Sequence, residues 1–261
     1  MNEDRRLIDV LTPAEKQRIA AEFQRRMASC VPWSPAVRWA PELNFLGASY
    51  DTLNLFPEVQ ATDRPVAELE PGYVCDSPTQ QFRYCVRLHR AGRRLLTWWG
   101  GQVGSVIFDA DVEIPALFQS LPDQPGVWHE SPWMSLTPAE ILTLRPGTKL
   151  TKGRVIVAGL GLGHQLIEVS KRYAVKHITL VELDRELVEW MLPRVRPHVR
   201  KPLDVIVGDA YEIVPTLSAD VALIDIFPGY GGNHRAVSEL ARTSRKIKKM
   251  WGWGTSEMRL P

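Results

Sequence analysis

Between residues 153 and 226 the hydrophobic positions come in short runs bounded by glycine, proline or an acid: "RVIVA" from Arg154, "HITLVE" from His177, "DVIV" from Asp204 and "DVALID" from Asp220. Aliphatic, β-branched runs of this length predict buried strands near 154–158, 177–182, 204–208 and 220–225. The intervening segments space their apolar residues as helices do, and Pro193 and Pro197 are expected to end the second of them. Strand and helix alternating in this way predict an α/β unit built on a parallel sheet.

The first half has a different texture. "LTPAE" occurs at Leu11–Glu15 and again at Leu136–Glu140, each time placing Thr at an N-cap, Pro at the first helical position and Glu two residues further on. The match stops after five residues and marks two helix starts, not a repeat. Between them, "QFRYCVRLHRAGRRLLTWW" reads as a hairpin turning at Ala91 and Gly92, among many prolines and tryptophans. The expected organisation is an irregular α+β domain over residues 1–135 and an α/β domain over 136–261. The segment "GVWHESPWMSLTPAEIL" gathers Trp128, His129, Glu130, Trp133 and Met134 at that boundary, as core packing, a domain seam or a pocket wall.

Composition narrows the class without naming a partner. A 261-residue chain with 44% hydrophobic residues carries a sizeable core, and a net charge of +2 is too mild to demand nucleic acid or an acidic surface. Cys30, Cys75 and Cys85 show no C-x-x-C spacing, which predicts neither a disulfide framework nor a zinc knuckle. Neither a signal-peptide pattern nor a long apolar run is present, so the expectation is a soluble, cytoplasmic protein with no membrane partner.

The chemistry concentrates where the first α/β strand ends. "RVIVAGLGLGHQL" places glycines at 159, 161 and 163 between a strand and a helix, a turn suited to a nucleotide. The dinucleotide fingerprint G-x-G-x-x-G needs glycine at 164, where this chain has His164. Ligands of open parallel sheets lie beyond the carboxyl ends of the strands, and the next three strands end beside Glu182, Asp209 and Asp225. Glu182 lies 19 residues after Gly163, the distance at which a carboxylate accepts from both ribose hydroxyls, while Asp184 suits a helix N-cap. Asp209 suits either contact with an adenine amine or the cap of a helix beginning near Tyr211.

In their order and spacing, "VIVAGLGLG", "HITLVELD", "VIVGDAYE" and "DVALIDIF" resemble class I S-adenosylmethionine-dependent methyltransferases, particularly their spermidine-synthase-like branch. The resemblance covers roughly a third of the chain, Arg154 to about Gly232. It implies a Rossmann-like sheet and S-adenosylmethionine held by Gly159, Gly161, Gly163, Glu182, Asp209 and Ala210. Methyl transfer is the implied activity, to a small-molecule acceptor near Asp225, with no metal. Polyamine synthases carry an acid inside the glycine turn and another after the fourth strand, where this chain has Leu162 and the Phe227–Pro228 pair. Aminopropyl transfer is therefore the alternative activity. Only 36 residues follow Asp225, whereas the family continues with three more strands. This leaves open a sheet edge covered by the first half or by a second copy in a homo-oligomer, or a non-catalytic module that keeps the adenosine site.

The loop "IDIFPGYGGNH" offers Tyr230, Asn233 and His234 as acceptor contacts or as loop packing, with Gly229, Gly231 and Gly232 as a lid. A last helix is expected to start with Asn233 as N-cap, run through Trp251, and place Val237, Leu240, Ile247 and Trp251 on one face. Its Arg235, Arg242, Arg245, Lys246, Lys248 and Lys249 form either a solvated face or a strip that tracks nucleic-acid phosphates.

Overall fold

The computed structural model describes residues 12–14, 17, 18, 21, 32, 33, 71–89, 94–99, 102–107, 112–129, 131–227 and 233–254. At its centre is a five-stranded, all-parallel sheet made of β9 (Gly153–Ala158), β10 (Val175–Glu182), β11 (Leu203–Val207), β12 (Val221–Ile224) and β13 (Met250–Gly252). The spatial order is β11-β10-β9-β12-β13, which numbered by appearance is 3-2-1-4-5, the Rossmann-like arrangement. In the central strand β9, Val155 and Val157 face one core while Ile156 and Ala158 face another, and all four are buried. A strand buried on both sides has to be apolar throughout.

The first of those cores is closed by α1 (Pro138–Leu150), α2 (His164–Lys171) and α3 (Arg185–Val195). The second is closed by α4 (Ala210–Ile213) and α5 (Asn233–Thr243). The chain therefore leaves β9 toward one face and β12 toward the other, and the crevice between their carboxyl ends is the switch point of the sheet. Local chemistry sets the helix starts. Thr137 caps α1 by accepting from the Glu140 N–H, with Pro138 in the first turn, and Asp184 caps α3 by accepting from Leu187 N–H at 2.9 Å.

The first half contributes an antiparallel sheet ordered β2-β3-β6-β7, where β2 is Pro71–Asp76, β3 Phe82–His89, β6 Val112–Leu121 and β7 Gln124–Trp128. Two-residue β8 (Met134–Ser135) pairs with β6 through Leu117 and Met134. A separate three-stranded sheet is ordered β1-β5-β4, with β1 Pro32–Trp33, β4 Arg94–Trp99 and β5 Gln102–Ile107. Phe82, Tyr84, Ile114 and Leu117 share one hydrophobic cluster with Leu144, Val157 and Leu166, so the core runs unbroken across the boundary at residue 135. The turn between β2 and β3 also docks on the start of α3. Gln81 Nε2 donates to Asp184 Oδ2 at 3.0 Å, and Thr79 N–H to Glu186 Oε1 at 3.0 Å.

Three expectations need correction. The hairpin across Ala91 and Gly92 does not form, because β3 pairs with β2 and β6 on its two edges while β4 pairs with β5 in the other sheet. Pro193 lies inside α3, which ends at Val195, and forgoes there the N–H bond to the carbonyl four residues back. The last helix stops at Thr243, and the chain returns as β13 beside β12. Leu240 is buried in the second core as expected, but Trp251 crosses to the first, packed over Gly147 of α1. Among the described residues, no helix is long and apolar enough to cross a membrane.

If β13 is an integral strand, Trp251, only 3% exposed, is a core residue. Trp251→Ala is expected to cost about 3–5 kcal/mol in urea unfolding, whereas Lys249→Ala, at an exposed position, should stay within about 0.5 kcal/mol. Equal, small effects would mean that residues 250–252 do not belong to the sheet.

Candidate functional site

The switch point opens into a cavity of about 280 Å³. Its floor is the glycine turn. Gly159, Gly161 and Gly163 all have φ between +48° and +100°, a region that L side chains rarely adopt. At Gly159 the constraint is doubled, since a Cβ would collide with the carbonyl oxygen of Asp225. The turn is tied to both neighbouring strands by backbone bonds, Gly159 N–H to the Val181 carbonyl and Asp225 N–H to the Ala158 carbonyl, each 2.9 Å. Gly159 and Gly161 line the cavity; Gly163 instead packs on Val195 and precedes α2.

Glu182, Asp209, Ala210 and Asp225 all line this one cavity. Glu182 is braced from below, with Leu160 N–H donating to Oε2 at 2.7 Å and Asp184 N–H to Oε1 at 3.0 Å. Burial raises its pKa, and those two N–H groups oppose the rise. Each oxygen retains accepting capacity toward the cavity. Asp209 caps α4, with Oδ1 accepting from Tyr211 N–H at 2.8 Å, so capping and a place on the wall coincide in one side chain. Next to Glu182, Leu183 is 70% exposed and also lines the cavity, an apolar surface with no core to fill.

Asp225 closes the far side. Burial pushes its pKa up to about 7, against a hydrogen bond from Asn233, whose Nδ2 donates to Asp225 Oδ1 at 3.3 Å. Asn233 itself is fully buried, and its Oδ1 accepts from Ile226 N–H at 2.9 Å and Phe227 N–H at 3.2 Å. It therefore neither caps α5 nor lines the cavity; it clamps the loop after β12 and orients Asp225. His234 is exposed on α5 and also lies off the cavity wall. Tyr230 and the glycines at 229, 231 and 232 lie outside the described residues. Among the basic residues after Asn233, Arg235, Arg242, Arg245, Lys246, Lys248 and Lys249 are all exposed, and Lys248 pairs with Asp220 at 2.6 Å.

Sequence reasoning missed Glu140. Read as the Glu of a helix-start pattern, it is also a wall residue of the cavity. Its Oε2 accepts from Ser135 N–H at 3.0 Å, and burial, reinforced by the charge of Asp225, lifts its pKa to about 8. Of the residues gathered at the domain boundary, Trp133 and Met134 reach the cavity, while Trp128 stacks under the Arg83 guanidinium at 4.4 Å, His129 is exposed, and Glu130 lies outside the described residues. Met134 Sδ accepts from Leu162 N–H at 2.9 Å, which uses up a turn N–H that would otherwise face a phosphate. Phe82, Leu117, Trp133, Phe227 and Trp253 complete an apolar wall.

Electrostatically the cavity is one-sided. The described lining includes Glu140, Glu182, Asp184, Asp209 and Asp225, and no Lys or Arg. His164 also lines it, but burial pulls its pKa down to about 4, leaving it neutral at pH 7. Such a lining favours a cationic ligand group over an anionic one.

No family model matches this chain, and no curated protein does. Among solved structures, precorrin-8w decarboxylase from Methanobacterium thermoautotrophicum is 20% identical over 40% of this chain and 54% of its own, with a TM-score of 0.32. TrmK of M. capricolum, in complex with S-adenosylhomocysteine, is 17% identical over 40% of this chain and 47% of its own, with a TM-score of 0.33. A putative RNA methyltransferase from Pyrococcus horikoshii is 20% identical over 45% of this chain and 60% of its own, with a TM-score of 0.35. The matched region spans about half the length of these chains. Likeness of that extent carries no functional argument.

The raised pKa values of Asp225 and Glu140 have a thermodynamic consequence. Both folded values, about 7 and about 8, exceed those of unfolded carboxyls near 4. The folded state therefore binds more protons across roughly pH 4–8, and these two groups lower stability as pH rises through that window. The Asp225→Asn, Glu140→Gln double variant is expected to gain stability relative to wild type on going from pH 5 to pH 8, by on the order of 6 kcal/mol. Urea unfolding at the two pH values measures it; a gain that does not grow with pH would contradict the burial of these carboxyls.

Proposed function

We propose that this chain binds S-adenosylmethionine at the switch point and transfers its methyl group to an acceptor beside Asp225. The observation that carries the reading is the convergence of Glu182, Asp209 and Asp225, from the ends of three successive strands, on one cavity floored by the glycine turn. The residues fit the group. In this reading Glu182 accepts from two ribose hydroxyls, Leu183 packs on a planar base, and Asp209 accepts from an exocyclic amine. The acids of the lining, with no Lys or Arg beside them among the described residues, favour a ligand carrying a sulfonium. A pyrophosphate is poorly served, because the Leu162 N–H is taken by Met134 and five carboxyls surround the space.

When bound, the cofactor supplies a methyl group on a sulfonium, an activated leaving group that needs no metal. The protein positions the acceptor and manages its proton. Asp225, with a pKa of about 7, is poised to take a proton near neutral pH, and Asn233 holds it in place. Glu140, at about 8, is largely protonated at pH 7 and holds a proton on the opposite wall. Phe82, Trp133, Phe227 and Trp253 give that space an apolar wall. The same lining favours a neutral or cationic small-molecule acceptor over a phosphate-rich one.

Calorimetry is expected to show binding of S-adenosylhomocysteine and none of NAD; tighter binding of NAD would refute the assignment. Glu182→Gln keeps one oxygen for the Leu160 N–H, loses the bond from Asp184 N–H and one acceptor toward the ligand, and should weaken S-adenosylhomocysteine by about 1–3 kcal/mol. Asp225→Asn should preserve that affinity while lowering turnover by about 100-fold or more. It should also remove the rise in rate that Asp225 imposes as pH passes through about 7. A fully active Asp225→Asn protein would exclude Asp225 as the base.

A further inference from the structure

The parallel sheet separates charge along its strands. Acids gather beyond the carboxyl ends, whereas the amino ends are basic. In the spatial order of the sheet, Arg200 precedes β11, Lys176 is the second residue of β10, Lys152 and Arg154 flank the first residue of β9, and Lys248 and Lys249 precede β13. All six are exposed. Five strands about 4.8 Å apart make this a cationic edge of about 19 Å. Because α5 stops at Thr243, the exposed Arg245 and Lys246 extend that edge instead of continuing a helix face.

Two observations set the edge apart from an ordinary solvated surface. Cations in the last turn of a helix follow from its dipole, which accounts for Lys149, Lys171 and Arg242. The six above lie outside the helices, in connections or at strand starts, and the acids near them are already engaged. Asp220 accepts from Arg154 N–H at 2.9 Å and from Lys248 Nζ at 2.6 Å, while Asp204 pairs with His177 and Glu168 with Lys171.

The second observation is Tyr173. It is 98% exposed in the turn between α2 and β10, and the Ala174 carbonyl accepts from Gly153 N–H at 2.7 Å, which holds that turn beside Lys152. A ring left in water at the centre of a cationic edge adds nothing to the core. It matches a base stacked on it while phosphates follow the neighbouring cations. A lipid surface would call for several apolar side chains, and Tyr173 is the one large exposed apolar side chain at this end of the sheet among the described residues.

We infer that the amino edge of the parallel sheet binds single-stranded nucleic acid, with Tyr173 stacking on an unpaired base and the flanking cations following the backbone. β10 runs eight residues from this edge to Glu182, a span of about 23 Å. The bound strand is therefore a tether held away from the cavity, whose acids repel phosphates, and its binding is independent of the adenosine reading.

Fluorescence anisotropy of the full chain with a labelled oligouridylate of about twelve nucleotides tests this. Wild type should bind it with a log–log salt slope of about −3 or steeper, the value for four or more phosphate contacts at about −0.7 each. The Lys152→Gln, Lys176→Gln, Lys249→Gln variant should make that slope shallower by about 2. Tyr173→Ala should weaken binding about fivefold or more at unchanged slope, the scale of one base–aromatic stack, and Tyr173→Phe should restore it. Melting curves check that the variants are folded, and their affinity for S-adenosylhomocysteine should equal that of wild type. Absence of salt-dependent binding overturns the inference, as does retention on phosphatidylserine vesicles by a chain that ignores the oligonucleotide. Binding that the triple variant weakens and Tyr173→Ala leaves unchanged also overturns it, since the edge would then hold any polyanion without reading unpaired bases.

Discussion

The site depends on one close approach. Where β9 ends, the chain at Gly159 passes so near the carbonyl of Asp225 that no side chain fits between them, and the backbone holds φ at +100°. This contact lets β12 lie against β9 to its last residue, and it brings the loop carrying Asp225 directly over the glycine turn. From that crossing the other distances follow. Glu182 reaches across from β10 to accept from Leu160 N–H, and α2 leaves toward one face while the chain after β12 leaves toward the other. A crevice opens between them because the sheet reverses there.

The second constraint is electrostatic. Five carboxyls line a small, mostly apolar cavity, and each of the three most enclosed is braced differently. Glu182 takes two backbone N–H groups, Glu140 takes Ser135 N–H, and Asp225 takes the amide of Asn233. These bonds only partly offset desolvation, so all three pKa values stay above their ordinary range. A fold that concentrates acids this way forgoes stability near neutral pH, and a cationic group entering the cavity would recover part of it. Packing and the proposed function meet in that term, because the acids whose burial costs stability are those proposed to recognise the ligand.

What was legible in the sequence follows from the range of the interactions. β9 and β12 are buried on both faces, and β10 and the edge strand β11 are largely aliphatic, so their apolar runs announce all four, and three glycines and three acids mark the strand ends without knowledge of contacts. Thr137 and Asp184 act through hydrogen bonds three residues long and were equally readable. Glu140 was hidden because its local role as a helix-start residue accounts for it fully; only the tertiary position of α1 turns it toward Asp225. Asn233 was misread for the opposite reason, as its partners Ile226 and Phe227 lie backward along the chain, across the loop. The false hairpin and the overlong last helix share one cause. Short strands such as β13 take their stability from neighbours, here β12 and the space over Gly147, and leave only a weak trace in local pattern.

The account's central claim is that the crevice between β9 and β12 is an adenosine site. The most direct measurement is a crystal structure of the chain grown with S-adenosylhomocysteine. The account predicts both ribose hydroxyls at about 2.6–3.0 Å from the Glu182 carboxylate. A ligand bound elsewhere, or one lying in the crevice with its ribose away from Glu182, would contradict it.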